Sequence, residues 1–220
     1  MTEEINPGLR RLPVYMVLDT SWSMAGEPIE ALRMGMRSLL DDLQTDPQAL
    51  ETVWLSVITF DSTAKQLVPL TGIDEFSMPD IKENGTTSLG AALDLVIDCA
   101  DREIRKTTDT VKGDYKPLIF LMTDGAPTDN WEKAADRLKQ RRLGNIISCA
   151  AGPGADDTVL KRITEIVVRL ENTSAGTLGA FMKWVSDSIA MTSASVSSQA
   201  PGDAVALPPP PKDQGIVIVP

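Results

Sequence analysis

Five oxygen-bearing side chains, widely separated in the chain, could together hold a metal ion. These side chains belong to Asp19, Ser21, Ser23, Thr86 and Asp124. Each of the five residues lies close to an apolar segment of the sequence. Carboxylates and hydroxyls are hard donors of low total charge, which suit Mg²⁺ or Mn²⁺ better than Zn²⁺, whereas Ca²⁺ would prefer more ligands. The chain has no histidine, so the usual zinc ligand sets and histidine-dependent nucleophilic catalysis are excluded.

Each of these residues, taken alone, also has a purely structural explanation. Asp19 and Asp124 could cap helices, and the Ser and Thr hydroxyls could satisfy the backbone of turns. The combination favours a metal site, because suitable donors follow more than one predicted strand and precede a predicted helix. A fold that brings these junctions together is then required.

The alternation of apolar patterns predicts such a fold. Continuous apolar runs of strand length alternate with amphipathic helical patterns, which is typical of a parallel sheet covered on both faces. We predict an α/β, doubly wound, mostly parallel sheet with helices on both faces and one antiparallel edge strand, which contains Pro69. The predicted strands are residues 14–18, 53–60, 65–70, 118–122, 145–151 and 166–170, and the predicted helices begin near residues 28, 89, 131, 158 and 178.

The carboxyl ends of the strands are where an open parallel sheet binds its ligands, because the loops leading into the helices converge there. Asp19 follows the first predicted strand, and Asp124 follows the strand at 118–122. Thr86 lies in the loop before the helix that begins near residue 89. The sequence therefore predicts one metal site at this edge of the sheet.

Three motifs in the chain resemble the metal-ion-dependent adhesion site (MIDAS) of the von Willebrand factor A (vWA) family. They occur in the family's order and are Asp19-Thr20-Ser21-Trp22-Ser23, Asn84-Gly85-Thr86-Thr87-Ser88-Leu89-Gly90 and Thr123-Asp124-Gly125. The resemblance covers about residues 10–192 and implies a vWA, Rossmann-like fold. It also implies a binding module rather than an enzyme.

The resemblance further implies how a Mg²⁺-type ion would be held. Ser21 and Ser23 would bind it directly through their hydroxyls. Asp19 and Asp124 would act largely through water and hydrogen bonds. A remaining open position would accept a Glu or Asp carboxylate from a partner protein.

Two positions in these motifs have competing interpretations. Thr86 lies four residues before Gly90, the family's usual spacing, and is therefore preferred to Thr87 as the site threonine. It would bind directly or through water, depending on conformation. Trp22 stands where the family often has a small residue, and it is either an anchor for a partner or an aromatic packed on the surface.

A narrower resemblance concerns residues 5–15 and 121–129, which look like bacterial TerY-type proteins of tellurium-resistance and stress gene clusters. Members of that group are thought to act as cytosolic assembly modules beside kinase- and phosphatase-like partners. Some carry a cysteine-rich metal-binding extension at the C-terminus. This chain has a proline-rich tail instead, so only the vWA domain carries over, with a tellurite or stress role as a hypothesis.

The composition of the chain limits its partners and location. With 21 Lys and Arg against 31 Asp and Glu, the formal net charge is −10, which disfavours nucleic acid and anionic membranes as partners. No apolar stretch approaches the roughly 20 residues of a membrane span. Cys99 and Cys149 lie in apolar segments and predict buried, reduced thiols, which is compatible with a cytoplasmic protein.

The 220 residues are long enough for one domain with flanking segments. We predict an N-terminal segment at 1–11, the vWA domain at 12–192 and a flexible tail, rich in Ser, Ala and Pro, at 193–220. Residues 216–219 are apolar and could add as a strand to another sheet, but a disordered end is the preferred interpretation.

Two rival functions stand beside the binding module. A haloacid-dehalogenase-like, Mg²⁺-dependent phosphatase also places an Asp after its first buried strand, but it needs an acid two positions later, where this chain has Ser21. A metal-free vWA scaffold would use the same residues only as turn formers. Metal titration separates the scaffold from the binding module.

Overall fold

A single sheet of seven strands runs through the residues that the computed structural model describes, which are 10–197, 207–211 and 214–219. In chain order the strands are β1 (Leu12–Asp19), β2 (Val53–Phe60), β3 (Ala64–Gly72), β4 (Leu118–Thr123), β5 (Asn145–Ala151), β6 (Ile166–Leu170) and β7 (Ile216–Val219). Across the sheet their order is β3-β2-β1-β4-β5-β6-β7. The five inner strands are parallel, and β3 and β7 are antiparallel edge strands. The predicted mostly parallel sheet is confirmed, with a second antiparallel edge in addition.

Helices cover both faces of this sheet. Within the described ranges they are α1 (Glu27–Thr45), α2 (Pro47–Thr52), α3 (Leu89–Glu103), α4 (Trp131–Arg141), α5 (Asp157–Ile163) and α6 (Ala175–Ser197). One apolar core joins the sheet to α1, α2 and α6, and a second core joins it to α3, α4 and α5. The sheet therefore has no face left to solvent, as the continuous apolar runs predict.

The central strand β1 illustrates why its sequence is apolar without alternation. Met16 and Leu18 belong to the core with α1 and α6, while Tyr15 and Val17 belong to the core with α3 and α4. Every residue of β1 is buried. Only where the strand ends, at Asp19, does a charged side chain enter the buried region.

A short helix that the sequence analysis did not predict follows α1. The Asp46-Pro47 pair follows the end of α1, and it also begins α2. Asp46 Oδ1 accepts hydrogen bonds from the backbone N–H of Gln48 at 2.8 Å and of Ala49 at 3.0 Å. Pro47 suits the first position of a helix, because that position needs no N–H donor.

The described parts of the predicted flexible tail are folded onto the domain. Helix α6 continues to Ser197, beyond the predicted boundary at residue 192. Leu207 packs against the core that contains α1 and α6, and Trp184 Nε1 donates a hydrogen bond to Pro208 O at 2.9 Å. Pro208 therefore lies against α6.

Residues 216–219 add to the chain's own sheet, which corrects the prediction of a disordered end. They form β7, which pairs antiparallel with β6, and Ile216 is only 6% exposed. The physical reason is the free edge of β6, whose N–H and C=O groups need partners. Residues 1–9 of the predicted N-terminal segment and residues 198–206, 212–213 and 220 of the tail lie outside the described residues.

Two further properties bear on the sequence predictions. Cys99 and Cys149 are both free and buried, and burial raises the pKa of each thiol. Among the described residues, no helix combines the length and the apolar composition needed to cross a membrane.

Candidate metal site

Asp19 is a fully buried carboxylate at the carboxyl end of β1. Its Oδ1 accepts a hydrogen bond from Ser21 N at 2.8 Å, and its Oδ2 accepts one from Thr123 Oγ1 at 2.5 Å. Because Thr123 ends β4, this second bond joins the ends of two neighbouring parallel strands. Burial raises the pKa of Asp19 to about 6, and the charge of Asp124 adds to the increase, while the hydrogen bonds from Ser21 and Thr123 lower it.

Two serine hydroxyls lie between Asp19 and the second carboxylate. Ser21 Oγ and Ser23 Oγ are 2.9 Å apart, and Ser23 Oγ donates a hydrogen bond to Asp124 Oδ1 at 2.8 Å. A short 3-10 turn at Trp22–Met24 bends the chain here. Asp124 is 9% exposed, and its burial raises its pKa, although the bond from Ser23 acts in the opposite direction.

Thr87 is the threonine that the structure brings to these groups. It is buried, and its Oγ1 lies 3.4 Å from where a Cβ on Gly125 would be, with Ser23 Oγ 4.0 Å from the same point. The hydroxyls of Thr87 and Ser23 therefore flank the turn that carries Asp124. The structure thus brings four of the five predicted residues together and adds Thr87 as the fifth.

Thr86, the preferred threonine of the sequence analysis, lies on the other side of the loop. Its side chain is exposed, its Oγ1 is 3.2 Å from Ser62 Oγ, and its backbone N–H donates to the same hydroxyl at 3.0 Å. Gly85 has a positive φ of 62°, a conformation that favours glycine. This turn, held by a hydrogen bond from Trp22 N to Gly85 O at 3.0 Å, directs Thr86 to Ser62 and leaves the next residue facing the carboxylates.

The described part of the chain offers the two carboxylates no basic partner. Neither Asp19 nor Asp124 takes part in any ion pair found among the described residues. Their hydrogen-bond donors are neutral hydroxyls and backbone groups, so two acids with raised pKa values stand close together. A divalent cation fits this donor set, because it would compensate both negative charges and accept the oxygen ligands that hard cations prefer.

The composition of the site differs from that of a carboxylate cage. Groups of three or more His, Cys, Asp or Glu side chains able to hold a metal are absent from the described part of the chain. The cluster at β1 and β4 relies on hydroxyls instead, which keeps its charge low. Trp22 stands between the two serines with 61% of its surface exposed, which places an aromatic ring at the rim of the site.

Thr123 is a site residue that the sequence analysis did not single out, although it belongs to the Thr123-Asp124-Gly125 motif. The signal was its place at the end of a buried strand beside the strand that ends in Asp19. Its short hydrogen bond holds the Asp19 carboxylate in place. Thr123 is therefore part of the support for the site.

Comparison with known proteins identifies relatives of the domain. The model of the von Willebrand factor type A domain family matches residues 14–178. The uncharacterized protein sll0103 of Synechocystis sp. is 32% identical over 123 residues, which make up 53% of this chain and 26% of that protein. The chain therefore spans about a quarter of the length of this curated relative.

Several solved structures share the fold at low sequence identity. Proximal thread matrix protein 1 from the mussel byssus, with a zinc-occupied MIDAS motif, has a TM-score of 0.60 at 20% identity and covers 83% of this chain and 48% of its own. The von Willebrand factor type A protein of Catenulispora acidiphila has a TM-score of 0.61 at 16% identity, with coverages of 83% and 43%. Manganese-loaded TRAP protein of Plasmodium vivax has a TM-score of 0.50 at 24% identity, with coverages of 70% and 62%.

The solved structures, all under 25% identical, support the fold alone. The family model, by contrast, extends from β1 to the first part of α6 and includes every residue of the candidate site. It covers well over half of the chain. This chain belongs to the von Willebrand factor type A domain family.

Proposed function

We propose that this domain is a metal-dependent protein-binding module. The ion would be held by Asp19, Ser21, Ser23, Thr87 and Asp124, and the partner would offer a Glu or Asp carboxylate. One observation carries the proposal: two buried carboxylates are linked through the backbone N–H of Ser21 and the hydroxyls of Ser21 and Ser23, and no basic side chain among the described residues pairs with them. When bound, the cation would supply the positive charge to which an acidic partner residue binds.

The choice of metal rests on the donor set. Three hydroxyls and two carboxylates offer only oxygen, which favours Mg²⁺, with Mn²⁺ or Ca²⁺ as alternatives. Zinc occupies the MIDAS motif of one protein of similar fold, and a second such protein is manganese-loaded. These relatives support a divalent cation in general, and Mg²⁺ is our proposal for this chain.

The same geometry argues against the phosphatase alternative. A nucleophilic Asp19 would have to be reached by a phosphate ester, but the residue is fully buried. Ser21 stands where the general acid would be needed, and its hydroxyl lies against Ser23. We therefore propose a binding role without catalysis.

The biological setting follows only from the narrower resemblance. Residues 121–129 lie at the site, and their likeness to TerY-type proteins supports a place beside kinase- and phosphatase-like partners in a bacterial tellurite or stress response. The other stretch that resembles these proteins is 5–15, and its residues 5–9 lie outside the described residues. A cytoplasmic location belongs to the same proposal and agrees with the two buried, free thiols.

Calorimetric titration of Mg²⁺ and Mn²⁺ into the chelator-treated full chain tests the metal site. We expect saturable binding to the wild type and none to Asp19→Ala. Asp41→Ala, which removes an exposed carboxylate near the end of α1, is the matched control and should bind as the wild type does. Equal behaviour of wild type and Asp19→Ala would support a metal-free scaffold instead.

The binding role is tested by capture from a cell lysate with Mg²⁺ and with chelator, followed by identification of the retained protein. We expect retention only with Mg²⁺ and only with a chain that has Asp19. Neutralising one acidic residue of the identified partner should abolish retention. Capture that ignores both the metal and Asp19 would argue against an adhesion-type contact.

A further inference from the structure

The loop that follows β4 is bonded directly to the start of α3. Asp129 Oδ1 accepts a hydrogen bond from Gly90 N at 3.0 Å, and Asp129 Oδ2 accepts one from Ala91 N at 3.0 Å. Next to it, Thr128 N donates to Thr87 O at 2.9 Å. Two hydrogen bonds therefore join the loop that carries Asp124 to the first turn of α3, and a third joins it to the loop that carries Thr87.

The start of α3 is built to receive this carboxylate. Within the described structure, its N-cap residue Ser88 makes no capping hydrogen bond with its side chain, so the first N–H groups of the helix depend on another acceptor. A Cβ on Gly90 would lie 2.9 Å from Trp131 Cα and 3.0 Å from Asp129 Oδ2. Only a residue without a side chain allows the loop to come this close.

We propose that Asp129 is a positioning residue for the metal site, an inference that rests on the proposed function. Thr87 and Asp124 lie on separate loops, and the contact through Thr128 and Asp129 sets the position of one relative to the other. Because Mg²⁺ requires oxygen ligands at about 2.0–2.1 Å in a regular octahedron, a small displacement of Thr87 weakens the site. Residues that orient ligands in this way typically change metal affinity about 10- to 100-fold when they are replaced.

A simpler role for Asp129 is that of a helix cap with no consequence for the site. The chain contains a comparable case, because Asp46 caps α2 by accepting from two consecutive backbone N–H groups, both through Oδ1. Asp46 precedes β2, so it lies at the opposite edge of the sheet from the metal site. Both residues lose the same kind of bond when replaced by Ala, but only Asp129 touches the site loops.

The experiment compares Asp129→Ala, Asp129→Asn and Asp46→Ala with the wild type in the full chain. Calorimetry with Mg²⁺ alone gives the affinity, and thermal unfolding without metal gives the loss of Tm. We expect Asp129→Ala to bind Mg²⁺ about 10-fold more weakly. Asp129→Asn, which keeps one acceptor oxygen, should fall between Asp129→Ala and the wild type, and Asp46→Ala should bind as the wild type does despite its lower Tm. Unchanged affinity in a folded Asp129→Ala protein would overturn the proposal.

Hydrogen exchange in the metal-free protein provides a readout that does not depend on metal binding. If Asp129 only caps α3, its replacement speeds amide exchange at Gly90 and Ala91 alone. If Asp129 also holds the two loops together, its replacement speeds exchange at Thr128 as well, because the Thr128 N–H donates to Thr87 O. We expect all three amides to exchange faster in Asp129→Ala and none in Asp46→Ala. If the wild type binds no metal, the proposed function fails. Separately from metal binding, a Thr128 amide that stays protected from exchange in Asp129→Ala would overturn the positioning role.

Discussion

Two buried carboxylates lie at opposite ends of the central strands, and they differ in whether a cation of the chain compensates their charge. Asp114, just before β4, accepts two hydrogen bonds from Arg11, one from Nε at 2.9 Å and one from Nη2 at 2.5 Å. The Arg11 guanidinium also stacks over Trp54, 4.6 Å from the ring centre. Asp19, at the other end of β1, accepts from Ser21 N and Thr123 Oγ1, which are neutral donors, and from no cation within the described ranges.

The difference separates an end of the sheet where the buried charge is paired from the end that we propose to bind a metal ion. A buried charge needs a partner, because its removal from water is unfavourable. Asp114 has a cation supplied by the chain itself, so its side chain is 2% exposed and yet fully paired. Asp19 is buried to the same degree without such a cation, and its pKa is raised in consequence. A group kept in an unfavourable state of this kind is typical of a functional site.

The largest loss of stability is expected when the buried ion pair between Arg11 and Asp114 is removed. Arg11→Met keeps much of the side-chain volume but leaves Asp114 buried without its cation. We expect the free energy of unfolding, measured by urea denaturation, to fall by about 3–5 kcal/mol. Arg10→Met is the control, because Arg10 contacts Tyr115 and backbone carbonyls but no carboxylate that the structure describes. Equal losses in the two variants would contradict the role given to the buried ion pair.

The uncompensated end should make the stability of the metal-free protein depend on pH. The pKa of Asp19 is about 6 in the folded protein, above its usual value of 3.8, so the folded state holds the proton more tightly than the unfolded chain. This contribution is complete below pH 4 and is lost as the pH rises through 6. Since one pKa unit corresponds to about 1.4 kcal/mol, the loss is on the order of 3 kcal/mol.

Urea denaturation with chelator between pH 4 and pH 7.5 measures this loss. Other carboxylates also titrate in this range, so the quantity to compare is the difference between wild type and Asp19→Asn at each pH. With excess Mg²⁺ the trend should reverse, because metal binding requires ionised Asp19. A difference between the two proteins that does not vary with pH would contradict the raised pKa.

The two ends should respond with opposite sign when one acid is neutralised. Asp19→Asn removes an uncompensated charge, so we expect it to stabilise the metal-free protein by about 1 to 2 kcal/mol at pH 7.5, while metal binding is lost. Asp114→Asn leaves Arg11 without its carboxylate and should destabilise the protein. Denaturation curves of both variants test this, and destabilisation by both would remove the contrast between the two ends.

Most of the fold could be predicted because its strands are continuous apolar runs bounded by polar turns. The predicted limits of β2, β5 and β6 coincide with those in the structure. Strand β7 could not be predicted in the same way, since its pairing depends on the free edge of β6 and not on its own pattern. Helix α2 was missed because its six residues are too few to produce a helical period.

The candidate site could be predicted where its residues follow directly from the ends of strands. Asp19 and Asp124 occupy such positions, and the rule that ligands bind at the carboxyl ends of parallel strands places them together. The site threonine depends instead on the backbone conformation of a loop, which is set by the positive φ of Gly85. The contact between Asp129 and α3 is also invisible in the sequence, because it joins distant segments.

The smallest predicted effect distinguishes the two neighbouring threonines. Thr87→Val keeps the shape of the side chain but removes the hydroxyl beside Asp124, so we expect the Kd for Mg²⁺ to rise about five- to tenfold, or roughly 1.0–1.4 kcal/mol. Thr86→Val removes only the exposed contact with Ser62 and should leave the Kd within about twofold. Thr87→Ser, which restores the hydroxyl, should return the Kd toward the wild-type value. If Thr86→Val weakens Mg²⁺ binding more than Thr87→Val does in the calorimetric titration, Thr86 is the site threonine. That result would mean that the loop at Gly85 changes conformation when the metal binds.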